Sequence, residues 1–114
     1  MEISTSETEG NMNNNISNPE LPLTKAEELL SEGNTDMAMV YFWFAGDGFA
    51  SQDNWKKAGY CYSKSAYCYE MNGAYEKAAQ DYQKAAKLYA MGGDDKEAEK
   101  TTQLSLEMLK LSHS

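Results

Sequence analysis

The chain has 114 residues, of which 25% are charged and 41% apolar, and carries a formal charge of −8; this is the length and balance of one globular domain. All ten basic residues are Lys, which argues against nucleic acid and against a phosphate clamp, where a basic face and forked guanidinium contacts are the usual means. No apolar run approaches the roughly 18 residues that span a bilayer, no secretory leader is expected, and two Cys with one His are too few for a closed four-ligand site, so the chain reads as cytoplasmic.

The acidity is concentrated at the head. Residues 1–34 carry seven acids against Lys25, a net of −6, whereas residues 35–114 carry a net of −2. Residues 1–20 are mostly Ser, Thr, Glu and Asn, with only Met1, Ile3, Met12 and Ile16 as apolar candidates. So little apolar surface does not offset the entropy of ordering, and a disordered acidic, Asn-rich tail is expected. A folded domain is expected over residues 21–114. Pro19 and Pro22 should hold Leu21-Pro22-Leu23 extended. Thr24-Lys25-Ala26-Glu27 has the pattern of a capping box, predicting a helix over 24–32 that stops at Gly33. Further helices are predicted over 36–51, 54–71, 75–91 and 95–111. Asp36, Asp53 or Asn54 are candidate caps. A second capping box, Asp94 to Glu97, follows Gly92-Gly93.

Residues 55–73 and 75–93 align at an offset of twenty with eight of nineteen positions identical. The shared positions include Ala58/Ala78, Tyr62/Tyr82, Ala66/Ala86, Tyr69/Tyr89 and Gly73/Gly93. Upstream, Ala38, Phe42, Gly46 and Phe49 keep the same slots; downstream, Ala98 and Leu109 keep two of them. Steps of four, four and three put each set on one helical stripe. Small and large residues alternate along it, which is ridge-into-groove packing written into the sequence. Tyr at these slots suggests half-buried rings. One unit is a helix plus its turn, and two make a hairpin of about forty residues, the size of a helical-solenoid repeat. The expected fold is all-α, a short right-handed helical-hairpin solenoid of about five helices.

The stretch Phe49, Trp55, Ala58-Gly59, Tyr62 and Ser65-Ala66 resembles the hairpin core of tetratricopeptide (TPR)-like proteins, and is closest to their soluble NSF attachment protein (SNAP) branch. The resemblance runs over roughly residues 38–93. It implies a helical scaffold for protein–protein interaction. Members of that family are far longer and use an extended basic concave surface, so the resemblance carries over fold and general role, and no binding residue.

The chemistry-bearing residues point away from catalysis. Cys61 and Cys68 share a helical face but lie about 10.5 Å apart along the axis, too far for a disulfide; small apolar fillers are the expected role. His113 stands alone near a helix end, and Asp94-Asp95 suit a helix N-terminus. Asp47 with Asp53 could suggest a cation site, as could Asp94-Asp95, but capping is the expected role. Gly46-Asp47-Gly48 implies either a kink or a close helix approach. With no nucleophile–base pair, metal cluster or Gly-rich cofactor loop, neither an enzyme nor a cofactor nor a small-molecule substrate is implied.

Surplus aromatics are the remaining signal. Trp43, Phe44, Tyr60, Tyr67 and Met71 fall mostly off the repeat stripe. They are either buried between neighbouring helices or exposed as a partner-binding surface, where Trp, Tyr and Met are enriched. Lys56, Lys57, Lys64, Lys77, Lys84 and Lys87 recur with the repeat and read as a solvated face. The expected function is a non-catalytic adaptor or scaffold that presents this surface to a peptide or helical protein. The alternative is a homodimer built on the same aromatics. A more remote reading is a membrane-trafficking adaptor, without membrane insertion.

Overall fold

The computed structural model describes residues 18–114. Five helices follow one another: α1 (Glu20–Ser31), α2 (Thr35–Ser51), α3 (Trp55–Met71), α4 (Tyr75–Met91) and α5 (Asp95–Ser112). Each packs against the next as an antiparallel hairpin. Side chains also reach the next helix but one. Tyr60 of α3 bonds Glu27 of α1, and Trp43 of α2 bonds Asp81 of α4. Odd and even helices therefore form two layers, the all-α repeat architecture the sequence implies. The tail expected to be disordered lies, for residues 1–17, outside the described residues.

The four turns are copies of one another. Gly33, Asp53, Gly73 and Gly93, spaced twenty apart, have φ of 81°, 60°, 77° and 79°. After each, an amide bonds the carbonyl five residues back: Asn34 to Leu29, Asn54 to Phe49, Ala74 to Tyr69, Asp94 to Tyr89. This is the Schellman closure, which needs one residue in the left-handed region. Glycine adopts it freely at three turns; Asp53 adopts it at the fourth.

The next residue caps the following helix. Asn34, Asn54 and Asp94 accept the backbone N–H of Met37, Lys57 and Glu97. Ala74 holds the same backbone conformation with no side-chain cap. The capping box expected at Asp94 forms by half, because the Asp94 amide is already bonded to Tyr89 O. Asn34, rather than Asp36, caps α2.

The first helix starts earlier than predicted. The extended reading of residues 19–23 is wrong: Pro19 is the N-cap and Pro22 sits in the first turn of α1, so Thr24 is inside the helix. The first four amides of a helix have no intrahelical acceptor, so a missing N–H there loses nothing.

The repeat stripe is the core. Ala38, Ala58 and Ala78 are fully buried, as is Phe42; Tyr69 is half-buried as expected, whereas Tyr62, Tyr82 and Tyr89 are buried. Their tips account for the difference: Tyr62 donates to Asp47 and Tyr82 to Glu70 (2.9 Å). The rings pack while the Tyr62 and Tyr82 hydroxyls end at carboxylates and that of Tyr89 at Ser63. Gly46 lies inside the continuous helix α2, where a Cβ would come within 2.8 Å of the Tyr62 ring. The close-approach reading is the correct one, and α2 neither ends nor breaks there.

The stripe shifts on α5. Thr101, Ser105 and Met108 are buried, and Ser105 donates to Ala79 O at 2.9 Å. Leu109, expected in the core slot, is exposed, as is Leu106. As the last described helix, α5 packs on one side only, so a single turned stripe serves it.

Candidate docking surface

The surplus aromatics separate into two groups. Trp43 is half-buried and already engaged. Its indole N–H donates to Asp81 Oδ2 at 3.1 Å, and its ring lies 6.1 Å from that of Tyr69, tilted at 53°. Tyr60 is half-buried and donates to Glu27 Oε2 at 2.7 Å. Burial, and then the hydrogen bond and charge of Glu27, raise its hydroxyl above the ordinary phenol range. These two residues brace the layers.

Phe44, Tyr67 and Met71 are exposed, by 55%, 42% and 55%. They do not form one patch. Tyr67 borders a groove between α3 and α5 with Lys100 and Leu104, and the Lys64 ammonium lies 5.8 Å from its ring centre. Met71 ends α3 outside the grooves that hold Phe44 and Tyr67. Phe44 belongs to a groove of about 350 Å³ between α1 and α2, walled by Leu21, Lys25, Met37, Val40 and Tyr41. Trp43 and Phe44 together flank a smaller cleft beside Val40 and Asp47.

The α1–α2 groove has a simple origin. Helix α2 spends Ala38, Phe42, Ala45 and Phe49 on the core. Met37, Val40 and Phe44, spaced three and four apart, then fall together on the outer side. All three are exposed, and Leu21 of α1 lies 56% exposed across from them. Four large apolar side chains in one groove are more than the scattered exposure common on a monomer's surface.

Leu21, Met37 and Val40 are residues the sequence reading did not select. The repeat held the signal. The Met37 slot is Lys in the next two units (Lys57, Lys77), and the Phe44 slot likewise (Lys64, Lys84). Those Lys residues are not merely solvated. Their ammonium groups lie over ring faces: Lys57 over Phe49 at 5.3 Å, Lys77 over Tyr69 at 5.9 Å and Lys84 over Tyr62 at 4.3 Å. In the first hairpin, apolar side chains replace these cations.

Among the described residues, no group of three or more His, Cys, Asp or Glu could hold a metal ion, and no helix is long and apolar enough to cross a membrane. Every buried side-chain polar atom among them has a partner. Cys61 and Cys68 are buried free thiols.

No curated protein and no solved structure is significantly similar to this chain. The sequence pattern of the family described as soluble NSF attachment protein, SNAP, matches residues 23–113. That stretch takes in α1 from Leu23 onward and the four helices after it. With the repeated hairpins and the match over most of its length, the chain belongs to the SNAP family.

Proposed function

We propose that this protein is an interaction module: a helical-repeat adaptor with no chemistry of its own, which holds a protein partner on a preformed surface. The observation that carries this reading is the apolar groove centred on Phe44, formed on two helices that the core already fixes. Phe44 would make the central contact, with Tyr67 and Met71 at separate exposed positions. Trp43 and Tyr60 would hold the frame rather than contact the partner. The family's name describes an attachment protein, which supports an adaptor role over an enzymatic one and is consistent with a place among membrane-trafficking adaptors.

The test is site-specific photocrosslinking in cells. A benzophenone amino acid replaces Phe44, Tyr67 or, as an exposed control, Lys110. A discrete adduct with another protein at Phe44, and none at Lys110, is the expected result. If neither Phe44 nor Tyr67 gives an adduct above the control, the module reading fails. An adduct of twice the protein's own mass would identify self-assembly instead.

A further inference from the structure

The groove has a filled counterpart in the same molecule. At an offset of forty, Leu21 corresponds to Cys61, Lys25 to Ser65, Met37 to Lys77, Tyr41 to Asp81 and Phe44 to Lys84. In the α3–α4 hairpin, Cys61 and Asp81 meet α2 directly, and Ser65, Lys77 and Lys84 brace the groups that do. Gly46 of α2 sits so close that a Cβ would lie 3.2 Å from Cys61 Cβ. Trp43 donates to Asp81, which Ser65 braces at 2.6 Å, and Lys84 and Lys77 lie over the rings of Tyr62 and Tyr69 at its edges. The α1–α2 groove is the same seat one hairpin earlier, with its polar positions replaced: Lys77, Lys84 and Asp81 become Met37, Phe44 and Tyr41. The repeat geometry fixes the shape of what fits, which is a helix lying along both walls.

Charge selects among helices. Lys25 is the one charged residue on the groove wall itself; around it, residues 18–51 carry six carboxylates, a net of −5, and a net of −4 once the pairing of Glu20 with Lys57 is counted, whereas residues 55–112 carry a net of +1. Exposed Asp36 and Asp47, which accept from Asn72 Nδ2 and the Tyr62 hydroxyl, stand at the two ends of the Met37–Val40–Phe44 stripe on its own helix, outside the groove wall. A second copy would bring the same acidic hairpin against itself. The chain's own residues 1–17 bring Glu2, Glu7 and Glu9 and no Lys. Like charges oppose both occupants, and a helix with an apolar face flanked by cations is complementary.

Building on the interaction-module reading, we propose that the α1–α2 groove is a helix seat that takes an amphipathic, Lys- or Arg-flanked helix of a partner protein, apolar face inward against Leu21, Met37, Val40 and Phe44.

The test is fluorescence anisotropy with the full chain and a fluorescein-labelled Leu/Lys peptide of about 18 residues, five turns of amphipathic helix. A scrambled peptide of the same composition and a Leu/Glu peptide serve as controls. The patterned Leu/Lys peptide should bind at least about tenfold more tightly than either control, and should weaken as salt rises from about 50 to 300 mM. Phe44→Asp should abolish the preference although it makes the hairpin more acidic; Leu106→Asp at the far end should not. Equal binding of patterned and scrambled peptides, or indifference to Phe44→Asp, overturns the proposal as plain charge attraction. So does no binding at all. A dimer by light scattering that Phe44→Asp dissolves makes a second copy the occupant. Tightening by about tenfold or more on Ile3→Asp, Met12→Asp and Ile16→Asp together makes residues 1–17 the occupant. A crosslinked partner at Phe44 with no peptide preference leaves the module reading standing and removes this one; no crosslink at Phe44 or Tyr67 removes the reading beneath it.

Discussion

Trp43 on α2 and Asp81 on α4 are joined by a 3.1 Å hydrogen bond from the indole N–H to Oδ2, so two helices of the same layer are tied directly. The same oxygen accepts from Ser65 Oγ at 2.6 Å, and Ser65 is fully buried. One carboxylate oxygen thus satisfies donors from the two preceding helices, α2 and α3. Asp81→Ala would orphan both, one of them away from water. Each unsatisfied donor costs about 1–3 kcal/mol, and the indole is only half-buried, so the expected loss is about 2–3 kcal/mol by urea unfolding. Asp81→Asn keeps an acceptor oxygen and should lose about half as much. Loss below about 0.5 kcal/mol for Asp81→Ala would mean that water replaces the carboxylate and that Trp43 is free to serve a partner.

The turns allow a prediction in the opposite direction. Ala74 has φ −90° and ψ 71°, close to Asn34, Asn54 and Asp94, yet lacks the side chain that caps the next helix in those three turns. Ala74→Asn should add about 1 kcal/mol, since an N-cap side chain contributes about 0.5–2. Asp53→Gly should add up to about 1 kcal/mol by relieving a left-handed Asp. The sites lie in different turns, and the double variant should show the sum. A fall in stability for Ala74→Asn would show that the Asn side chain does not reach the Lys77 amide.

The legible and illegible parts of the sequence divide on physical grounds. The stripe Ala58–Tyr62–Ala66–Tyr69 repeats because the same two-sided packing recurs in each internal helix, so the period alone exposes it. The ends of the stack break the period. On α5 the buried set turns to Thr101, Ser105 and Met108, because one neighbour suffices to fix a helix that packs on one side. At α1, Pro22 reads as a breaker unless the helix is known to begin before it. The candidate site was half visible. Phe44 is exposed as a docking residue should be, but Trp43 and Tyr60 are engaged within the molecule, and off-stripe position alone does not separate the two cases. Departure from the repeat does: Met37 and Phe44 stand where later units carry Lys. Leu21 carried no such signal, since its contribution depends on a helix start that the prolines concealed.

The two thiols provide a measure of how tightly the core closes. Cys61 and Cys68 have no exposed surface. Burial pushes their thiols up to about 12 and about 11. The nearby carboxylates Glu27 and Glu20 add to the rise at Cys61, while Lys64 partly opposes it at Cys68. Thiolate is the reactive species, so native protein at pH 8 should resist an aromatic disulfide reagent for as long as it stays folded. Both thiols should react within minutes in denaturant. Fast reaction of one thiol in the native protein would place a local opening at that turn of α3.

Alkaline pH tests the buried tyrosines. Burial, with Asp47 at Tyr62 and Glu70 at Tyr82, raises both hydroxyls above their ordinary value of 10.0, and burial raises that of Tyr89. In each case the folded state holds the proton more tightly than the unfolded chain. The stabilisation is therefore full below about pH 10 and is lost as the pH rises from there through the raised native values. The sign follows from proton counting, because above pH 10 the unfolded chain binds fewer protons, and stability must fall with pH. The melting temperature should stay level, as far as these groups govern it, from pH 7 to 9 and then drop steeply. Tyrosinate absorbance near 295 nm from Tyr62, Tyr82 and Tyr89 should appear only as the helices unfold. Tyr62→Phe and Tyr82→Phe together should flatten the alkaline drop, since neither phenyl ring titrates. An unchanged drop would assign the pH sensitivity to other groups and leave the Tyr–carboxylate pairs without a measurable part in the fold.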